Sequence, residues 1–152
     1  MSAEARVKEL GIELPMPPTP VGSYVGAVRT GNLIYISGQG PRKPDNSSLT
    51  GNVGADVSIE EAQAAARLVG LNALATLRAE IGSLDQVKRV VKVFGMVNAT
   101  ADFCEHPKVI NGFSDLMFEI FGEAGRHARS AVGMSSLPFQ IPVEVEMIVE
   151  LV

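Results

Sequence analysis

The sequence contains one cysteine, no block of basic residues and no apolar run of membrane-spanning length. Cys104 is the single cysteine among 152 residues, which excludes an internal disulfide and a cysteine-rich metal site. Because the first residues are charged and no later segment could cross a bilayer, neither a signal peptide nor a membrane partner is expected. With 152 residues, 46% of them hydrophobic, the chain fits one domain over residues 1–152, and these absences predict that it is located in the cytoplasm.

The charge distribution and the two histidines narrow the possible functions further. Thirteen basic residues against seventeen acidic ones give a net charge of −4, and the basic residues are scattered, so nucleic acid is not an expected partner. His106 and His127 lie far apart, without the spacing of metal ligands. No metal site is therefore predicted, and each histidine is expected at the surface or at a helix cap.

The N-terminal part predicts a helical arm, a hairpin and a loop. Residues 1–20 are typical of a short helix followed by a proline-rich lead-in. Two β-rich runs, Ser23–Val28 and Leu33–Ser37, flank the turn sequence Thr30-Gly31-Asn32. The glycine-rich stretch Ser37–Gly40 is either a plain turn or the lining of a pocket, and its spacing matches no phosphate-binding loop.

Two helices and a strand are predicted in the middle of the chain. Ser58 and Glu61 have the spacing of a capping box, and apolar residues recur at helical intervals behind them until Gly82. Val87–Val97 is rich in β-branched residues, as strands are, and Pro107 stands where a second apolar helix can begin. With two further strands near the C-terminus, the order is ββαβαββ. This order indicates an α+β sandwich, a mixed sheet with two helices packed on one face.

The last two strands contain charged residues where apolar ones are expected. The strands are Ala128–Met134 and Val143–Leu151. Arg129 lies in the first, and Glu144 and Glu146 share a face of the second. Because an unpaired buried charge is costly, Arg129 either pairs with one of these glutamates or binds a ligand carboxylate through its planar fork of donors. Glu144 is correspondingly a structural counterion or a carboxylate that orients water and transfers protons.

Two strands are apolar on both faces, which a single layer of helices does not explain. They are Leu33–Ile36 and Met147–Leu151. Two helices can cover only one face of the sheet, so the sequence predicts that the other face packs against another subunit.

Five segments of the chain share sequence and order with a known family. They are GSYVGAVRTGNLIYISGQGP, Val90–Phe94, Asn111, ARSAVGMSSLP and VEVEMIVE. Together they resemble the YjgF family, also called RidA or the reactive intermediate deaminase family and sometimes labelled endoribonuclease L-PSP. The resemblance implies a chorismate-mutase-like fold assembled as a homotrimer, with three clefts between subunits.

The resemblance also implies a reaction. Members of the deaminase branch hydrolyse 2-imino or 2-enamino acids to 2-oxo acids and ammonia without a cofactor, so the implied ligand is a small-molecule carboxylate. The alternative is a noncatalytic trimer that binds a 2-oxo acid as a sensor or chaperone-like partner. A ribonuclease is disfavoured by the acidic composition and the lack of a basic patch.

The resemblance assigns roles to individual residues. Arg129 falls on the family's carboxylate-binding arginine and Glu144 on its water-positioning glutamate. The other residues implied around the substrate are Tyr24, Ser37, Gly38, Gln39, Asn111 and Ala131. Ala131 replaces a cysteine that is common at its position, and Ser114 replaces an aromatic residue. These departures and the longer chain point to a distinct subgroup.

Overall fold

The computed structural model describes residues 1–152 and contains a five-stranded mixed sheet covered on one face by two long helices. Its strands are β1 (Ala27–Thr30), β2 (Leu33–Gln39), β3 (Val87–Asn98), β4 (Ala128–Met134) and β5 (Val143–Leu151). Its helices are α1 (Ala3–Glu9), α2 (Ile59–Ile81) and α3 (His106–Phe121), with 3₁₀ turns at Leu84–Gln86, Gly122–Gly125 and Pro138–Gln140. The α+β class and the order ββαβαββ are confirmed, with α1 preceding them.

The last strand of the chain lies at the centre of the sheet. The strand order is β1-β2-β5-β3-β4, in which β3 and β4 are parallel and the other neighbours are antiparallel. The buried residues of β5 are Val143, Val145, Met147, Val149 and Leu151. They belong to one core of 27 buried residues between the sheet and the helices, and the residues that alternate with them point to the other face.

The hairpin forms at the predicted turn, but its strands have different bounds. Gly31 adopts φ +60° there, a conformation that suits glycine. β1 begins at Ala27 rather than Ser23, and β2 continues to Gln39 rather than ending at Ser37. Both differences come from a β-bulge after Ile36, where Ser37 and Gly38 of β2 lie opposite the single residue Glu146 of β5. The bulge ends the pairing with β1 and keeps the pairing with β5.

The two long helices begin and end at the predicted signals. Ser58 and Glu61 form a complete capping box at the start of α2, and Gly82 ends that helix with φ +85°. α3 has Pro107 in its first turn. No helix of the structure combines the length and the apolar character needed to span a membrane.

A glycine allows a close backbone contact between the two long helices. A Cβ atom on Gly112 of α3 would lie 2.0 Å from the backbone carbonyl oxygen of Gln63 on α2. Where Gly70 of α2 faces α3, a Cβ atom would instead meet the Leu116 side chain, at 2.7 Å. The backbone contact at Gly112 therefore fixes the separation of the two helices.

The second face of the sheet is not covered by either long helix and carries an apolar patch beside Lys92 and Glu146. Val28 is 54% exposed and Tyr35 is 45% exposed, and Phe94 and Ile148 beside them are half-buried. Val28, Tyr35, Phe94 and Ile148 line an open depression of about 420 Å³. We call this surface, which also includes Val132, the open face.

Candidate functional site

Arg129 lies on the face of β4 that is covered by α3. Its Nη1 group donates hydrogen bonds to Asn111 Oδ1 at 2.9 Å and to Ser114 Oγ at 3.1 Å. Asn111 and Ser114 lie one turn apart on α3. The side chain is half-buried and lines an open cavity of about 480 Å³. None of the ion pairs within the chain includes Arg129. The cation is thus oriented by neutral partners and has no carboxylate of its own.

The interpretation of Arg129 as the partner of Glu144 or Glu146 is wrong for this chain. Val93 on β3 stands opposite both Arg129 and Met147, so those side chains point to the helices. Glu144 and Glu146 alternate with buried residues of β5 and therefore lie on the open face. The sheet itself separates the arginine from both carboxylates.

A histidine extends the hydrogen-bond network of Arg129. His127 Nδ1 lies 2.7 Å from the carbonyl oxygen of Gly125, and its Nε2 lies 2.9 Å from Ser114 Oγ. A carbonyl only accepts, so Nδ1 must donate, and in a neutral ring Nε2 then accepts from the Ser114 hydroxyl. The serine oxygen in turn accepts from Arg129. We call His127, Ser114 and Arg129 the histidine relay.

Sequence reasoning missed the histidine relay. His127 was expected at the surface or at a cap, and Ser114 was noted only as a replaced aromatic residue. Thirteen residues separate Ser114 from His127, and only the turn from α3 into β4 brings them together. No sequence spacing predicts that contact.

His127 is expected to make the folded protein less stable in mild acid. Burial lowers the pKa of His127 below its ordinary value of 6.5, and the nearby Arg129 charge adds to this, against an opposing effect of the Gly125 carbonyl. The unfolded chain therefore binds the proton more readily than the folded one. The contribution to stability is complete above pH 6.5 and is lost as the pH falls from there through the folded pKa.

Urea titrations between pH 5 and 8 measure this effect. His127→Gln should flatten the dependence of the unfolding free energy on pH, whereas the other histidine variant, His106→Gln, should keep it. An equally steep fall in His127→Gln would contradict the assignment.

The residues predicted around Glu144 line a second cavity, of about 330 Å³. Those that sequence analysis named are Tyr24, Ser37, Gly38, Gln39 and Glu144. Ser37 Oγ donates to the Val25 carbonyl at 2.6 Å, and buried Gln39 donates to the Ser37 carbonyl at 3.2 Å. Ser37–Gln39 forms the bulged end of β2 rather than a plain turn, and it lines a pocket, which was the other interpretation of this stretch.

Gly38 allows the Glu144 carboxyl group to approach the bulge. A Cβ atom at Gly38 would lie 2.8 Å from Glu144 Oε2. The approach is accompanied by desolvation, which raises the pKa of Glu144 above its ordinary value of 4.5, and the charge of Glu146 raises it further. Glu144 is thus a half-buried carboxyl group with proton affinity higher than that of an ordinary glutamate.

The sequence-predicted site residues form two groups within one chain. Arg129, Asn111 and Ala131 lie toward the helices, and Ala131 packs partly against the core. Glu144, Tyr24 and the bulge lie around the cavity described above. Because the sheet stands between the groups, one chain alone does not bring Arg129 and Glu144 to a common substrate.

Comparison with known proteins gives a family match over nearly the whole chain. Residues 4–151 match the model of a family described as "YjgF/chorismate_mutase-like, putative endoribonuclease". Protein TCP17 of Trypanosoma cruzi is 45% identical over 148 residues, which cover 97% of this chain and 92% of that protein. A 2-iminobutanoate/2-iminopropanoate deaminase of Dermatophagoides farinae is 34% identical over 140 residues, covering 91% and 93%.

A solved structure extends the similarity to three dimensions. The protein Atu1372 of Agrobacterium tumefaciens, whose function is unknown, superposes with a TM-score of 0.90 at 45% identity. The match covers 99% of this chain and 94% of Atu1372. The fold is therefore shared along the whole length, including the N-terminal segment.

Proposed function

The chain belongs to the YjgF/chorismate mutase-like family, and from that membership we propose that it is a deaminase of reactive 2-imino or 2-enamino acids. The products are a 2-oxo acid and ammonia. The similarity to a protein named 2-iminobutanoate/2-iminopropanoate deaminase supports this choice. The observation that carries it is the half-buried guanidinium of Arg129, which has no carboxylate partner in the chain.

Arg129 has the geometry of a carboxylate clamp. Its Nη1 group is held by Asn111 and Ser114, while Nε and Nη2 form no hydrogen bond within the chain. These two groups are the edge of a guanidinium that binds a carboxylate with two parallel hydrogen bonds. A substrate carboxylate there would supply the missing counterion and fix the position of the adjacent C=N carbon.

Glu144 is the proposed proton carrier for the reaction. Its carboxylate accepts a proton from a water molecule as the water oxygen bonds to the carbon of the protonated imine, and the nitrogen becomes an amino group. Glu144 then gives this proton to that nitrogen, the C–N bond breaks and ammonia leaves, while the carbinol hydroxyl passes its own proton to Glu144 and becomes the 2-oxo group. Glu144 returns to its carboxylate form by giving that proton to the next imine. One water is consumed for each ammonia released, and no electron is gained or lost.

The proposed reaction needs a second copy of the chain. Arg129 and Glu144 lie on opposite sides of their own sheet, so they can serve one substrate only if neighbouring subunits contribute one residue each. The open face supports such an assembly, because Val28 is 54% exposed and Tyr35 45% exposed on it and no helix covers them. We propose a homotrimer with its clefts at the subunit boundaries.

Light scattering is expected to give about three times the chain mass of 16.1 kDa. Tyr35→Glu places a charge in the centre of the open face, where it is tolerated by a monomer but not by a packed interface. This variant should dissociate and lose deaminase activity while its helix content stays unchanged. A wild-type protein that remains monomeric at micromolar concentration would refute the assembly.

Ammonia release from freshly generated 2-iminopropanoate tests the proposed activity directly. The imine hydrolyses without an enzyme, so the measured quantity is the increase in rate per mole of protein. If Arg129→Gln has a normal melting curve but no longer increases the rate, the activity depends on the site that contains Arg129. If wild-type protein gives no increase but binds a 2-oxo acid, the noncatalytic alternative is correct.

The same assay is expected to show an acid limb set by Glu144. A general base must be ionised, so the rate falls as the pH drops through its pKa. That pKa is raised, which places the midpoint above 4.5. Because the Glu146 charge contributes to the shift, Glu146→Gln should move the midpoint toward lower pH. A midpoint that stays unchanged in Glu146→Gln would argue against Glu144 as the base.

The endoribonuclease in the family description is not the activity we favour for this chain. The net charge is −4, and RNA binding depends strongly on neutralising phosphates with clustered lysine and arginine. The side chains lining the Arg129 cavity include Asp115 together with Arg126, which gives a mixed rather than a basic surface.

A further inference from the structure

Arg42, like Arg129, forms no ion pair within the chain, and it lines the same cavity as Glu144. Its Nη1 group donates to Asn46 Oδ1 at 3.0 Å, and its Nη2 group donates to the Met16 carbonyl. Its Nε group is buried and has no hydrogen-bond partner. Both existing acceptors are neutral, so the guanidinium is held in place and its charge is not balanced by any carboxylate in an ion pair.

Asn72 gives the cavity wall an unused acceptor beside Arg42. This residue is 1% exposed, and its Nδ2 group donates to the carbonyl oxygens of Gly40 at 3.1 Å and Arg42 at 2.9 Å. These two bonds fix the amide orientation, because only the NH₂ group can donate. Its Oδ1 atom is buried without a partner, and such atoms are rare in folded proteins.

Glu144 does not neutralise the charge of Arg42. The two residues line one cavity, but they form no ion pair. The pKa of Glu144 is raised by burial and by Glu146, whereas a neighbouring arginine acting on it would lower it. Arg42 therefore remains available to an incoming anion.

We propose that this cavity binds the second acidic group of the substrate, so that the protein acts on 2-imino dicarboxylic acids. The inference rests on the proposed deaminase function and narrows its substrate class. Arg129 from one subunit would hold the carboxylate next to the imine carbon, and Arg42 would hold the carboxylate at the far end. Asn72 keeps the wall beside Arg42 in place, because its buried amide donates to the carbonyl oxygens of Gly40 and Arg42.

Two 2-oxo acids of equal length measure the preference for a second carboxylate. Calorimetric titration of the trimer with 2-oxoglutarate and 2-oxopentanoate compares ligands that differ in the distal carboxylate. The wild-type protein is expected to bind 2-oxoglutarate about tenfold more tightly, as one charge-assisted hydrogen bond would give. Arg42→Gln should remove this preference and leave the affinity for 2-oxopentanoate unchanged. Lys43→Gln removes a neighbouring exposed charge outside the cavity, and this variant should retain the preference for 2-oxoglutarate.

A second variant keeps the test decisive if Arg42→Gln loosens the loop held by Met16 and Asn46. Ser48 faces Arg42 across an antiparallel bridge and lines the same cavity. Ser48→Asp would place a carboxylate where we expect the distal group of the ligand, so it should weaken 2-oxoglutarate binding selectively while Arg42 is retained.

The outcomes separate this inference from the proposed function. Equal affinities for the two ligands in wild-type protein, or a preference that survives both Arg42→Gln and Ser48→Asp, would overturn the dicarboxylate assignment. If binding of 2-oxopentanoate still depends on Arg129 in that case, and the protein still speeds ammonia release from 2-iminopropanoate, the deaminase proposal stands and only the dicarboxylate assignment fails. If neither ligand binds, both proposals fail.

Discussion

Arg129→Lys is expected to weaken 2-oxo acid binding by roughly 1–3 kcal/mol, the range for a lost charge-assisted hydrogen bond. Lysine retains the positive charge but has one ammonium group in place of a planar fork. It also cannot donate to Asn111, Ser114 and a ligand carboxylate in the directions that the guanidinium does. The measurement is a calorimetric titration with pyruvate or 2-oxobutanoate, alongside a melting curve.

The structure makes the stability part of this experiment informative. Since Glu144 lies on the other side of the sheet, loss of Arg129 leaves no carboxylate without its partner, and the melting temperature should change little. Cys104→Ser alters an exposed side chain and should change neither the affinity for the 2-oxo acid nor the melting temperature. Unchanged affinity in a well-folded Arg129→Lys protein would refute the carboxylate clamp.

Gly112→Ala is expected to lower the free energy of unfolding by about 2 kcal/mol or more. The added Cβ would lie 2.0 Å from the Gln63 carbonyl oxygen, so α2 and α3 would have to separate. Overpacking typically costs about 1–3 kcal/mol and occasionally more. Alanine favours a helix over glycine by about 1 kcal/mol, and this gain does not offset the displacement of a backbone.

Gly70→Ala is the matched comparison for urea titrations. It makes the same exchange in the partner helix, but the added atom meets the end of the Leu116 side chain, which can rotate. The decrease in the free energy of unfolding should therefore be clearly smaller than for Gly112→Ala. Equal stability of Gly112→Ala and the wild-type protein would show that the helix separation is not set at this contact.

Local signals in the sequence predicted the elements of this fold because their physical causes are local. The capping box of Ser58 with Glu61, the turn at Gly31 and the proline at the start of α3 each act within a few residues. The alternation along β5 likewise identified which of its residues share a face.

The placement of the candidate site could not be predicted in the same way, because it depends on which strands become neighbours. The residue types allow Glu144 to pair with Arg129, but the register places Val93 opposite Arg129 and Met147, with both glutamates on the other face. The bulge at Ser37–Gln39 and the contact of His127 with Ser114 also arise from tertiary packing. The residue types indicated the chemistry, and the strand order places Arg129 and Glu144 on opposite faces of the sheet.

The central position of β5 has a consequence for how the chain folds during synthesis. β2 and β3 lie on either side of Val143–Leu151, so the sheet stays divided until these late residues leave the ribosome. Contacts between segments so distant in the chain slow folding, because a long loop must close before they form. Until then the inner edges of β2 and β3 are unpaired and can associate with other chains. Nascent protein would therefore expose these two edges to other chains until β5 is made.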